Sequence, residues 1–158
     1  MKPMRKITVA VVEDDMRLQR VVTEVLAGSD DCTCIGVFSN GESAIAKIPT
    51  LNPDVIFQDI NLPDLSGVEC VAQISPQLPK TQFIMLTVYQ DTETIFQALA
   101  AGAHGYLVKP VMPDALLQAV REIRSGGVPM SRTIARHVIN FFRHPKPQPA
   151  ENLGSREQ

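Results

Sequence analysis

Asp59 closes a short apolar run, Val55-Ile-Phe-Gln58, and the turn residues Leu62-Pro-Asp-Leu-Ser-Gly67 follow almost at once. A carboxylate at the end of a buried strand can cap a turn, or it can act as a nucleophile. Three other places in the chain bear on that choice. Glu13-Asp14-Asp15 ends an apolar run, Thr87 ends another, and Lys109-Pro110 ends a third. Taken singly, each has an ordinary role: an exposed charge cluster, a β-branched strand residue, a solvated loop lysine. Taken together they form a set. Several carboxylates in one place repel one another, so some take up protons or a cation joins them. Hard oxygen ligands with open positions suit Mg2+, which keeps several waters and helps to bind phosphate. A lysine adds a fixed positive charge and a threonine adds a hydroxyl donor. Carboxylate nucleophile, divalent metal, ammonium and hydroxyl make up a phosphoryl-transfer set.

The elements that must position these residues follow from periodicity. Ile7–Val12 is a first buried strand. Met16–Ala27 carries Leu18, Val21, Val22, Val25 and Leu26 at helical spacing, with Gly28 as a stop. Thr33–Phe38 is a second strand. Ser39-Asn-Gly-Glu42 has the form of a capping box for a helix through Ile48, and Pro49 and Pro53 bracket the loop to the Asp59 strand. Ser66-Gly-Val-Glu69 is a second box, opening a helix to about Ser75. Phe83–Thr87 is a fourth strand, and Asp91 caps an alanine-rich helix stopped by Gly102. Gly105–Val108 is a fifth strand. Pro113 suits the first turn of a helix reaching about Arg124.

Strands alternate with helices five times, which requires a parallel sheet covered on both faces by right-handed crossovers. The expected fold class is therefore α/β, a doubly wound five-stranded parallel sheet. In such a sheet the carboxyl ends of the strands share one rim. Glu13, Asp14, Asp15, Asp59, Thr87 and Lys109 all belong to that rim.

Composition narrows the classes. With 158 residues and 44% hydrophobic content, the chain suits one compact domain with a short appendage. A net charge of −2 offers no global basic field for nucleic acid. No apolar run approaches a membrane span, and no signal-peptide core opens the chain. Cys32, Cys34 and Cys70 show neither metal nor disulfide spacing, which fits reduced thiols in a cytoplasmic protein.

Val11-Val-Glu-Asp-Asp15, Gln58-Asp-Ile-Asn-Leu-Pro-Asp-Leu-Ser-Gly67, Met85-Leu-Thr87 and Gly105-Tyr-Leu-Val-Lys-Pro110 match, in order, the motifs of a known family. The chain resembles the receiver domain of two-component response regulators from about Lys6 to Gly126. The resemblance implies a flavodoxin-like strand order, 2-1-3-4-5. It also implies that Asp59 accepts a phosphoryl group from a histidine kinase. Mg2+ would be held by Asp14 directly, with Glu13, Asp59 and the backbone carbonyl of Asn61 completing the set. Asp15 lies just past the acidic pair. Lys109 would pair first with the acidic site and then with the phosphoryl group. Thr87 would swing toward the phosphoryl oxygen and Tyr106 would follow inward. The resemblance also favours a cis bond between Lys109 and Pro110. Two positions depart from the family pattern. Gln58 stands where an apolar residue is usual, and Val88 stands where a small one is common.

Beyond Gly126-Gly127 the chain divides again. Ser131 caps an expected helix over Arg132–Phe142, with Ile134, Val138, Ile139 and Phe142 along one side. It either docks on its own domain or pairs two copies. His144-Pro-Lys-Pro-Gln-Pro149 reads as a semi-rigid linker. Asn152–Gln158 resembles the opening of a LuxR-type (NarL-type) helix-turn-helix domain, so the chain resembles a piece of a longer transcription regulator. The expected layout is a receiver over 6–126, a helical extension over 127–143, and a linker with the start of an output domain over 144–158. DNA contact would come only through that absent domain. Homodimerisation is expected through the face of the fourth helix, fifth strand and fifth helix. His104, His137 and His144 are scattered and receive no ligand role.

Other classes compete. A haloacid-dehalogenase-like phosphatase requires Asp-x-Asp after the first strand, and this chain has Glu13-Asp14-Asp15. A flavodoxin-like FMN module requires a Ser/Thr/Gly loop there, and carboxylates occupy it. A receiver that is never phosphorylated and serves only as an interaction module would not need the intact set of Asp59, Thr87 and Lys109. The preferred reading is a phospho-acceptor switch rather than a turnover enzyme.

Overall fold

The computed structural model describes residues 5–144. Five strands form one parallel sheet in the order β2-β1-β3-β4-β5. They are β1 (Ile7–Val12), β2 (Cys32–Phe38), β3 (Val55–Gln58), β4 (Gln82–Thr87) and β5 (Ala103–Val108). Between and after them run α1 (Met16–Ala27), α2 (Gly41–Leu51), α3 (Gly67–Ile74), α4 (Thr92–Ala101), α5 (Pro113–Arg124) and α6 (Arg132–Arg143). The expected fold class and strand order are both observed.

Period-two alternation divides each strand between two cores. Val9, Val11, Val55, Phe57, Ile84 and Leu86 pack with Val22 and Leu26 of α1 and with Leu116, Val120 and Ile123 of α5. Ala10, Val12, Ile56, Phe83 and Met85 pack with α2, α3 and α4 on the other face. Full burial of one such aliphatic or aromatic side chain is worth roughly 1.5–3 kcal/mol, so the two layers dominate the fold's stability. The layers also fix the register: Val12 pairs with Gln58, and Gln58 with Met85. The carboxyl ends of β1 and β3 therefore finish level, and β4 runs two residues further, to Thr87, on the same rim.

Several local expectations are corrected. The α2 cap is Asn40, not Ser39: the Asn40 side chain accepts from Ser43 N at 2.9 Å. Asp64 decides this start by accepting from Gly41 N and Glu42 N, both at 2.8 Å. The helix also runs through Pro49 to Leu51 instead of stopping at Ile48. Pro49 lacks the N–H that would bond back to Ile45, but only Thr50 and Leu51 follow it. Asn52, at φ 48°, then ends the helix in the left-handed conformation. The second box is half made. Ser66 accepts from Val68 N, while Glu69 accepts from Gln73 Nε2.

The expected helix α6 is present and docks on its own domain, against α4 and β5. Its buried side is the expected one at Ile134 and Val138 and differs at Ile139 and Phe142. Ile134 is fully buried, Val138 packs on the core, and Phe141 stacks on Phe96 with ring centroids 4.5 Å apart. Ile139 and Phe142 are 50% and 71% exposed. Positions 134, 138 and 141 follow the i, i+4, i+7 helical repeat, whereas 139 and 142 lie to one side of it. Ser131 precedes α6 without making a side-chain cap; its Oγ accepts from Val108 N instead. The linker after His144 and the stretch resembling a helix-turn-helix opening lie outside the described residues. Among the described residues no helix is long and apolar enough to cross a membrane.

Candidate functional site

The rim is assembled by strand register and one tight loop. Asp59 N donates to Val12 O at 2.9 Å, which ties the end of β3 to the end of β1. The loop then folds back so closely that a Cβ on Gly67 would stand 1.8 Å from Asp59 O. Only glycine fits there. The Asp59 carboxylate is fixed by its own loop, because Oδ1 accepts from Ile60 N at 2.7 Å and from Asn61 N at 3.3 Å.

Glu13, Asp14 and Asp59 converge, with one carboxylate oxygen from each within 4.8 Å of the others. Glu13 and Asp59 are buried and Asp14 is exposed. Asp15, next in sequence, points elsewhere: it accepts from Arg17 N at 2.9 Å and caps α1. Lys109 reaches into the cluster. Its Nζ lies 3.0 Å from Asp59 Oδ2 and 2.8 Å from Glu13 Oε1. The Lys109–Pro110 peptide is cis, as the resemblance favoured.

The charges perturb one another. Burial pushes the Glu13 carboxyl above its usual range, and the nearby Asp59 charge adds to this while Lys109 opposes it. Burial alone would lower the Lys109 ammonium, but Glu13 and Asp59 outweigh it and raise the group above its usual range. Lys109 is therefore a permanent cation in contact with two carboxylates.

Thr87 ends β4 beside Lys109, whose N–H donates to Thr87 O at 2.8 Å. Its hydroxyl is buried and has no hydrogen-bond partner among the described residues. Tyr106 lies inward: its ring is fully buried and its O–H donates to Tyr89 O at 2.7 Å. The inward position is stable here because the one polar atom of the ring has found an acceptor.

Some participants were not legible from residue type. Gln19 donates through Nε2 to Glu13 O and to Ser39 Oγ, bracing the acidic turn. Asp64 joins the loop after Asp59 to α2. Tyr89 takes part only through its carbonyl. No sequence signal marks a backbone acceptor, and Asp64 is recognisable only once α2 lies beside its loop.

Comparison with known proteins accords with this geometry. The family model described as "Response regulator receiver domain" matches residues 9–121. The chain belongs to this family.

Receiver domains of transcription regulators are its relatives. It is 32% identical over 149 residues to the uncharacterized transcriptional regulatory protein YxjL of Bacillus subtilis, covering 94% of this chain and 68% of that one. It is 35% identical over 130 residues to the transcriptional regulatory protein UhpA of Escherichia coli, covering 82% and 64%. Against the transcriptional regulatory protein DegU of Brevibacillus brevis, the chain spans 58% of the relative's length. A LuxR-family response regulator from Aurantimonas shares the fold, with a TM-score of 0.80 at 22% identity over 88% of this chain and 99% of that one.

Proposed function

We propose that this receiver takes a phosphoryl group onto Asp59 from a phosphohistidine of a sensor histidine kinase. A carboxylate oxygen of Asp59 forms the new O–P bond as the N–P bond of the donor breaks. The imidazole leaves with the electron pair and takes up a proton. Lys109 moves from the carboxylates to the phosphoryl oxygens, and the Thr87 hydroxyl donates to one of them. The observation that carries this reading is the buried Thr87 Oγ, without a partner among the described residues, on the rim that also holds Asp59, Lys109 and the acidic pair. A phosphoryl oxygen supplies the acceptor that such a hydroxyl lacks.

The donor set fits Mg2+. Asp14, Asp59 and Glu13 offer only hard oxygen ligands, and the Asn61 backbone lies beside Asp59. When bound, the ion neutralises charge on the acceptor and the incoming phosphate. Asp14 would be its direct ligand, and Glu13, already engaged by Lys109, would act on it less directly.

The domain thus serves as a switch that assists its own phosphorylation and dephosphorylation without turning over a separate substrate. Residues 6–126 are the switch, 127–143 an extension, and 144–158 the lead into a DNA-binding output domain in a cytoplasmic regulator. Phosphorylation favours pairing of two receivers through α4, β5 and α5. The deciding experiment incubates the chain with Mg2+ and a small phosphodonor, then with a phosphorylated kinase, and reads intact mass and peptide maps. A phosphoryl mass gain that is lost on chelation and in Asp59→Asn supports the reading. Full gain in Asp59→Asn refutes the site.

A further inference from the structure

Strand β5 is the edge of the sheet, and an open edge invites pairing with another chain. Here the chain covers that edge itself. Tyr106 N donates to Pro129 O at 2.8 Å, and Ser131 N donates back to Tyr106 O at 3.0 Å. Met130 thereby bridges to Tyr106 as a parallel partner. Val108 N, next on the same edge, donates to Ser131 Oγ at 2.8 Å. Gly105 makes room for this close approach: a Cβ there would meet Pro129 at 2.8 Å. Beyond this strap, α6 lies across α4 and β5. Ile134 is fully buried, Phe141 stacks on Phe96, and Thr92 Oγ1 meets His137 Nδ1 at 3.3 Å.

Two consequences follow. The α4–β5 side of the proposed pairing face is already occupied by residues of the same chain. The occupant is also bonded to Tyr106 and Val108, immediately before Lys109 on the strand that serves the candidate site.

We propose that the strap Val128–Ser131 and α6 form an intramolecular latch over the α4–β5 face, and that a second copy of the chain can use that face only after the latch releases. The latch excludes pairing by occupation. The partner is a second copy of the chain, which would meet the Phe96 side of α4 that Phe141 and Phe142 of α6 now cover. Because both copies must be unlatched to pair, the apparent association constant scales with the square of the unlatched fraction. Control of the latch by phosphorylation rests on the proposed function. The occupation itself does not, so it is tested without phosphate.

Sedimentation of the full chain and amide exchange are compared for wild type, Ile134→Asp and Phe141→Ala. Phe141 is only half-buried at the outer end of α6, so its loss spares the fold if Ile134→Asp does not. Faster exchange at Ser131 and Val108 is expected in the variants, with self-association roughly tenfold tighter than wild type. Adding Phe96→Glu should return each variant to monomer. Faster exchange without tighter association overturns the latch, and so does exchange that stays at the wild-type rate. Association that Phe96→Glu leaves intact uses another surface and also overturns it. Beryllofluoride with Mg2+ then acts on wild type alone. Failure there, beside successful release in the variants, refutes the phosphoryl control and leaves the occupation standing.

Discussion

The Tyr106 hydroxyl donates to the carbonyl of Tyr89 at 2.7 Å, joining the buried ring of β5 to the loop that follows Thr87. The loop between β4 and α4 is thereby tied to the edge strand. Tyr106→Phe keeps the ring and removes this bond. A hydrogen bond of this kind contributes about 1 kcal/mol net, and we expect a loss of that size in urea denaturation. Exchange at Tyr89 and Gln90 amides should quicken while the core strands stay protected. An unchanged midpoint together with unchanged exchange would mean that ring packing alone holds the loop.

Asp14 and Asp15 are neighbours in sequence with separate duties. Asp14 faces Glu13 and Asp59, and Asp15 caps α1. Asp15→Ala should cost about 1 kcal/mol of stability as a lost helix cap and leave Mg2+ affinity unchanged. Asp14→Ala should relieve like-charge repulsion, keep or raise the metal-free stability, and abolish Mg2+ binding. Saturating wild type at 100 times its Kd should add roughly 2.7 kcal/mol, and Asp14→Ala should gain none of this. Thermal unfolding with and without Mg2+ measures both quantities. Equal Mg2+ stabilisation of both variants would remove Asp14 as the direct ligand.

These cases also show what residue types could reveal. The alternation of Val9, Ala10, Val11 and Val12 with amphipathic α1 and α5 makes the layered sheet readable, since both faces must be covered. Rim position then follows from strand ends, so Asp59 and Lys109 could be brought together without coordinates. The α2 start could not be read, because Ser39 and Asn40 are equally good caps until Asp64 reaches across. The phase of α6 depends on where the strap pins Ser131, so a stripe drawn from Ile139 and Phe142 missed Phe141. Tyr106's inward ring depends on a carbonyl that any residue at position 89 would supply.

His104 carries a pH dependence with a definite sign. Its Nδ1 accepts from Phe83 N at 3.1 Å, at the irregularity between Phe83 and Ile84 where β4 and β5 change register. Only the neutral imidazole can accept. Desolvation lowers its pKa below that of a free imidazole, so the unfolded chain takes up the proton first as pH falls. The contribution is therefore complete above about pH 6.5 and fades as pH drops through the lower folded value. His104→Gln should flatten the stability profile between pH 7 and 5 relative to wild type. Solvent exposure of the residue keeps the effect small. Parallel profiles for the two proteins, from denaturation midpoints at several pH values, would assign the slope to other groups.

Gln58 is fully buried directly before Asp59. Its Nε2 donates to Asp59 O at 3.0 Å, and its Oε1 has no partner among the described residues. The side chain lies against the Cys70 thiol, whose pKa burial pushes up to about 11. That thiol stays protonated and supplies only a weak donor. A buried amide oxygen left unpaired costs about 1–3 kcal/mol, while the single Nε2 bond returns about 1 kcal/mol. Gln58→Met is close in volume and removes both terms, so it should stabilise the fold by roughly 1 kcal/mol. The Asp59 carbonyl then loses a donor, while the carboxylate keeps Ile60 N, Asn61 N and Lys109. Phosphoryl uptake should therefore persist, with any change confined to its rate. Denaturation and the mass-gain assay read the two effects separately. A destabilised Gln58→Met would show that the bond to the Asp59 carbonyl outweighs the orphaned oxygen, and that the amide is there to hold the acceptor loop.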